Sequence, residues 1–245
     1  VAIGAHALED QDAGQDGYNV AVGYNAGADI STGIINVCIG GNAGKTATTP
    51  NELVAVGYNA AGLGVLTGSS NTLIGSHSGY DMTSGNQNTG CGQATLFETT
   101  TGAENTAVGY QAGRNVVDGI RNTFVGALAG DATNDGDDNV AVGYTALSAN
   151  AGDQNTAVGT AALTLSTGGG NTAIGHGAGE TATSAIDCIF IGHDAGGNQV
   201  STTNDQLYIA RSGASLGNDP VFLYGGSTGA LINGDNSSTF NTVSD

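Results

Sequence analysis

The chain has 245 residues, 43 of them glycine, and sets 22 Asp and Glu against four Lys and Arg for a formal net charge of −18. That charge opposes binding to nucleic acid or to an anionic membrane surface, and no run approaches the ~20 apolar residues of a membrane span. The glycine content and the lack of a sustained 3.6-residue apolar stripe exclude a helical fold.

The first residues already belong to a repeat. The chain starts mid-motif at Val1 without a methionine or a signal peptide, and it reads as a fragment or a trimmed product. The motif, clearest as NTAVGYQAG (Asn105 to Gly113), recurs around Gly4, Gly23, Gly40, Gly57, Gly75, Gly92, Gly109, Gly126, Gly143, Gly159, Gly175 and Gly192. These anchoring glycines lie 19, 17, 17, 18, 17, 17, 17, 17, 16, 16 and 17 residues apart. A β-branched residue stands three places before each, and Val or Ile one place before all but Gly92, which follows Cys91. Asparagine four places before and alanine three places after recur almost as regularly.

Self-similarity at this period is the mark of a solenoid, in which each unit buries its apolar face only by stacking on the next. The expected fold is an all-β parallel β-solenoid, or β-roll, of about twelve ~17-residue coils over residues 1–198. Each unit is expected to run strand, tight glycine turn, short second strand and variable turn, and twelve coils at ~4.8 Å make a rod of about 55–60 Å. The β-branched pair, two residues apart, shares one face. It is expected to point inward, leaving the alanine columns as a flat packing face between chains.

Beyond the repeats, LYIARSG (Leu207 to Gly213), VFLYGG (Val221 to Gly226) and GALING (Gly229 to Gly234) read as strands with glycine turns. Residues 199–245 are therefore expected to form a small β cap.

The NTAVGYQAG coils resemble repeats of bacteriophage tail fibres, and of related bacterial surface proteins, that end in an endosialidase-type intramolecular chaperone. They are also similar to head repeats of trimeric autotransporter adhesins. The tail-fibre resemblance is reinforced by LYIARSG, FLYGGSTGALING and the closing Ser244-Asp245. It implies a homotrimer, a chaperone beyond the chain, and Ser244 as a self-cleavage serine in the precursor, whose lysine base is outside this sequence.

Several residues stand out against this background. Tyr24, Tyr58, Tyr110 and Tyr144 follow their anchoring glycines and are candidates for receptor contact through their ring faces. His176 and His193 occupy the same position in adjacent coils, so two stacked imidazoles are a weak candidate metal site, against the plainer reading of a semi-exposed polar column. Acidic turns hold Glu9, Asp10, Asp12 and Asp16, then Asp131, Asp135, Asp137 and Asp138. They read either as solvated carboxylates or as a calcium site. Cys38, Cys91 and Cys188 read as small buried hydrophobes, the alternative being a bridge from Cys38 or Cys188 to a symmetry mate. No coil combines carboxylates or histidine into a catalytic arrangement, and no resident cofactor is expected.

The function expected is a structural segment of a homotrimeric phage tail fibre. It would be part of the virion and act outside the cell, meeting a glycan or protein of the host surface. The alternatives are a trimeric bacterial surface adhesin and an ice-binding solenoid. The last would need a regular outward threonine array, whereas Thr72, Thr106, Thr123, Thr156 and Thr172 sit at the position expected to face inward.

Overall fold

The computed structural model describes residues 1–12, 17–196, 204–209, 222–225 and 230–233. It is an all-β parallel solenoid. One sheet holds fifteen strands in chain order: β1 (Ala2–Ile3), β2 (Val20–Val22), β3 (Val37–Ile39), β4 (Val54–Val56), β5 (Thr72–Ile74), β6 (Thr89–Cys91), β7 (Thr106–Val108), β8 (Thr123–Val125), β9 (Val140–Val142), β10 (Thr156–Val158), β11 (Thr172–Ile174), β12 (Ile189–Ile191), β13 (Gln206–Ile209), β14 (Phe222–Gly225) and β15 (Ala230–Asn233). Strands β1 to β13 pair in parallel, and equivalent residues meet on every rung: Val54 opposes Thr72, Thr89 opposes Thr106, and Thr123 opposes Val140.

The strands are only three residues long in most coils because the anchoring glycine ends them. These glycines have φ between 117° and 143°, a region open to glycine and rarely to any other residue. Close approach adds to the requirement. A Cβ on Gly109 would lie 2.6 Å from the carbonyl oxygen of Gly126, and one on Gly126 would lie 2.5 Å from that of Gly143. The rest of each coil is turn, not the second strand expected from the repeat. Left-handed residues such as Gln111 and Gly113 in one coil and Thr145 and Leu147 in another bend the chain back. Coil-to-coil hydrogen bonds nevertheless continue through the turn, as from Gly113 N to Ala129 O and from Gly130 N to Ala146 O.

The interior reverses the expected orientation. The middle residue of every strand from β2 to β12 is buried: Ala21, Cys38, Ala55, Leu73, Ala107, Phe124, Ala141, Ala157, Ala173 and Phe190 are fully enclosed. The alanines three places after the glycines, among them Ala26, Ala43, Ala112, Ala146 and Ala178, are enclosed too. Both alanine columns therefore line the core, and the flanking Val, Ile and Thr point outward. The cause is width. A coil with one strand and a tight turn leaves an interior too narrow for two β-branched residues per rung, so small middle residues go in and branched ones go out.

A buried asparagine ladder closes the corner before each strand. Asn122 N donates to Asn105 Oδ1 at 2.9 Å, while Asn105 Nδ2 donates to Gly119 O at 2.8 Å in the following coil. Asn71, Asn88, Asn139, Asn155 and Asn171 extend the same column. Leu53 and Cys188 interrupt it, each still donating its backbone N–H to the asparagine of the preceding coil.

The parallel ladder also runs past the expected end of the repeats at residue 198. Leu207 and Ile209 of β13 align with Ile189 and Ile191, without an anchoring glycine. Tyr208 takes the inward place and stacks on Phe190 with ring centroids 5.1 Å apart. Strands β14 and β15 then continue the sheet antiparallel, while most of the residues 199–245 expected to form a cap lie outside the described residues. Among the described residues no helix is long and apolar enough to cross a membrane.

Candidate functional site

The outward strand face is the most regular surface of the molecule. One column reads Val20, Val37, Val54, Thr72, Thr89, Thr106, Thr123, Val140, Thr156, Thr172, Ile189 and Leu207. The column two residues on reads Val22, Ile39, Val56, Ile74, Cys91, Val108, Val125, Val142, Val158, Ile174, Ile191 and Ile209. Ile39 and Ile74 are each 40% exposed and Ile174 46%. The columns repeat every ~4.8 Å along the rod and stand ~6.6 Å apart across it. On a chain with 22 acidic residues, neither column contains a charge. The threonines expected inward lie here, so the geometric objection to an ice-binding face falls away.

The cysteines follow the same inversion. Cys38 and Cys188 are enclosed, and burial pushes the Cys38 thiol up to about 12 and raises that of Cys188 as well. Both fit the reading as small buried hydrophobes, and neither faces outward to bridge a second chain. The outward cysteine is Cys91, in the middle of the exposed face.

The tyrosines expected to contact a receptor border this face. Tyr24, Tyr58, Tyr110 and Tyr144 are all about half exposed. They are separated by intervening coils, with Gly41 between the first two, and do not form a continuous ladder. A denser aromatic group was missed in the sequence. Five places after their glycines, Tyr80, Phe97 and Arg114 occupy one column in consecutive coils. Tyr80 stacks on Phe97 at 5.0 Å, the Arg114 guanidinium lies 5.3 Å from the Phe97 ring centre, and His77 packs between Tyr58 and Tyr80. Aligning the coils on their glycines places these residues together. They escape notice because the column elsewhere carries Lys45, Gly62, Ser148 or Thr164.

The acidic turns are occupied by the chain's own donors. Ile120 N donates to Asp137 Oδ1 at 2.8 Å, and Asp137 N donates to Asp153 Oδ1 at 3.0 Å. Arg121 grips Asp138 with two bonds of 2.6 and 2.9 Å, which holds the Asp138 carboxyl below its ordinary value. Asp135 is exposed beside them. These carboxylates secure neighbouring coils and do not converge on one point. Glu9 accepts from His6, Asp10 and Asp12 continue the first turn, and Asp16 and Ser244 lie outside the described residues.

His176 and His193 do stack, with centroids 4.9 Å apart and planes 9° from parallel. The residue after His193 completes a group that the sequence reading did not include. Asp194 Oδ2 lies 3.1 Å from His193 Nδ1 and Oδ1 lies 3.5 Å from His176 Nδ1. Comparison with protein-family models, with curated proteins and with solved structures gives no match.

Proposed function

We propose that the chain is a structural segment of a homotrimeric bacteriophage tail fibre, a stiff rod that carries a receptor-binding tip towards the host surface. The observation that carries this reading is the uncharged outward face of Val, Ile and Thr on a chain of net charge −18. A flat apolar strip roughly 60 Å long is costly in water and invites association. Further copies of the same chain are its natural cover, because they present the same rise per coil and so meet it rung for rung. The number three and the placement in the virion come from the resemblance of the repeats to tail-fibre repeats. On this reading Ser244 is the self-cleavage serine of a longer precursor, and the bordering tyrosines face a host glycan or protein.

Native and denaturing mass spectrometry of the product of the complete gene test the assembly. The expected result is a trimer whose chains have lost a C-terminal fragment; a monomer overturns the reading. Cys91 supplies a second check, since mild oxidation should link chains through it and Cys91→Ser should abolish the link. A product that continues uncut into a coiled coil and a membrane anchor would instead establish a trimeric surface adhesin.

One observation favours a reading of another class. Thr72, Thr89, Thr106, Thr123, Thr156 and Thr172 face outward in register, a regular hydroxyl and methyl array that an ordered water layer could match. An ice-binding solenoid would leave this face open, stay monomeric and show thermal hysteresis. A trimer without hysteresis removes it.

A further inference from the structure

We propose that His176, His193 and Asp194 form a binding site for a divalent transition-metal ion of the zinc class. One ligand atom from each lies within 4.8 Å of the other two. The two imidazoles come from equivalent places two residues after β11 and β12, whose last residues Ile174 and Ile191 are paired, so the backbone ladder sets their spacing. Asp194 is held by its own backbone, which donates from N to His176 O at 2.7 Å. Its carboxylate thereby spans both rings, one oxygen towards each Nδ1.

A second observation concerns Gly177, the residue below Asp194 in the adjacent coil. At that place other coils carry Asn25, Asn59, Ala94, Gln111 and Leu128 with φ of 53°, 55°, 54°, 54° and 58°. Gly177, with φ 61°, is therefore not required by its backbone. What it provides is room. The space its Cβ would fill is occupied by Asp194 Oδ1, and Glu180 Oε2 borders the same space. The missing side chain lets the Asp194 carboxylate fold down onto the lower coil.

Two imidazole nitrogens with a carboxylate oxygen suit zinc, cobalt, nickel or copper, whereas calcium and magnesium prefer oxygen alone. The rings are more than half exposed, so an ion can enter from solvent and keep water in its remaining positions. Without metal the same groups would form only an ion pair upon protonation of a ring, which gives no metal dependence.

The test is to strip the protein with a chelator, then titrate it with zinc by calorimetry and with cobalt(II) by visible absorption, using calcium as control. One zinc ion per chain and a cobalt spectrum of nitrogen and oxygen ligation are expected, with no calcium response. His176→Ala and Asp194→Asn should each weaken binding by about tenfold or more. Gly177→Ala is the diagnostic variant. Alanine is tolerated at that place in other coils, so the melting temperature should hold while binding weakens, because the new methyl displaces the carboxylate. Substituting His6 and His77 should change nothing. No response at millimolar zinc, or binding unchanged in the His176, Asp194 and Gly177 variants, overturns the proposal.

Discussion

The interior divides into two apolar segments that fill the same narrow space differently. The first runs from Ala21 to Met82 and the second from Leu96 to Tyr208. In the first, aliphatic residues fill both walls: Leu73 from the strand, and Ile30, Leu66 and Met82 from the turn opposite. In the second, Phe124 and Phe190 enter from the strand, while the opposite wall shrinks to Val116, Ala182 and the buried hydroxyls of Thr99, Thr133 and Ser166. Between the segments lies a polar step. Ser78 and Thr95 replace two alanines of the repeat and share a 2.8 Å hydrogen bond, and Gly90 leaves room for them in the strand.

What the comparison teaches is a size rule that adjacent coils satisfy together. Where the middle strand residue is large, the residue four places after the glycine is small: Leu73 with Gly79, Phe124 with Gly130, Phe190 with Gly196. Where the middle residue is small, the partner is leucine in some coils, Gly90 with Leu96, Ala141 with Leu147 and Ala157 with Leu163. In others both are small, and the large residues of adjacent coils fill the space, as Leu96 and Phe124 do at Gly113 and Leu163 and Phe190 at Gly179. Rung spacing is fixed by the backbone, so the enclosed volume is limited and the two positions of a coil share it with those of its neighbours.

The sharpest way to break the comparison is at Phe124. Phe124→Ala should cost about 3–5 kcal/mol in denaturant unfolding, because the Gly113 and Gly130 walls cannot collapse into the cavity. Adding Gly130→Leu should recover about 1–2 kcal/mol of it, since leucine holds the equivalent left-handed place at Leu96, Leu147 and Leu163. Strict additivity of the two changes would refute the size rule.

The next largest effect is expected where the asparagine ladder crosses the polar step. Asn88→Ala removes the acceptor of Asn105 N and the donor to Gly102 O, and two orphaned buried groups cost about 2–4 kcal/mol together. It also removes the polar tie between the segments, so unfolding should separate into two stages. A single cooperative transition in the variant would show that the step does not divide the core.

Ser78→Ala alone should cost about 1 kcal/mol, because the Thr95 hydroxyl loses its Ser78 partner and keeps only the 3.2 Å bond to Gly92 O. Combining Ser78→Ala with Thr95→Val should cost less than the single change, by joining the two apolar segments. Equal or greater loss in the double variant would argue that the hydroxyl pair is structurally required.

The smallest effect lies on the rim, at Asp131. Burial raises its carboxyl above the ordinary value, and its Oδ1 has no partner among the described residues. A raised carboxyl favours the protonated form in the folded state, so its penalty grows as pH rises from the unfolded towards the folded value and persists above it. Asp131→Asn should therefore stabilise the protein at neutral pH by less than about 1 kcal/mol, with the gain fading below the carboxylate range. A gain that is independent of pH would assign it to another cause.

The repeat, its period and the parallel stacking were legible because twelve glycines need one backbone conformation and a close approach that no other residue permits. The direction in which the side chains face was not. Alternation says which residues share a face, but not which face is enclosed, and hydrophobicity points the wrong way when each strand has room inside for one side chain and not for its two branched neighbours. The pairing of Phe124 with Gly130 was present in the letters and would have settled the question, since a phenylalanine among alanines demands a compensating void. Of the metal group, the two histidines were legible from register. Asp194 was not, because its reach depends on the empty place at Gly177 in another coil.

The anchoring glycines and the buried asparagines share a polarity along the rod. A Cβ on any of these glycines from Gly4 to Gly175 would strike the carbonyl of the coil that follows, and each laddered asparagine from Asn19 onward accepts its backbone bond from the coil that follows. Every coil is thus a mould for the one made after it. Synthesis on the ribosome proceeds in the same direction, so a finished coil already displays the acceptors that the emerging one must meet. A faulty glycine spoils the seat of its successor while its predecessor stays well packed.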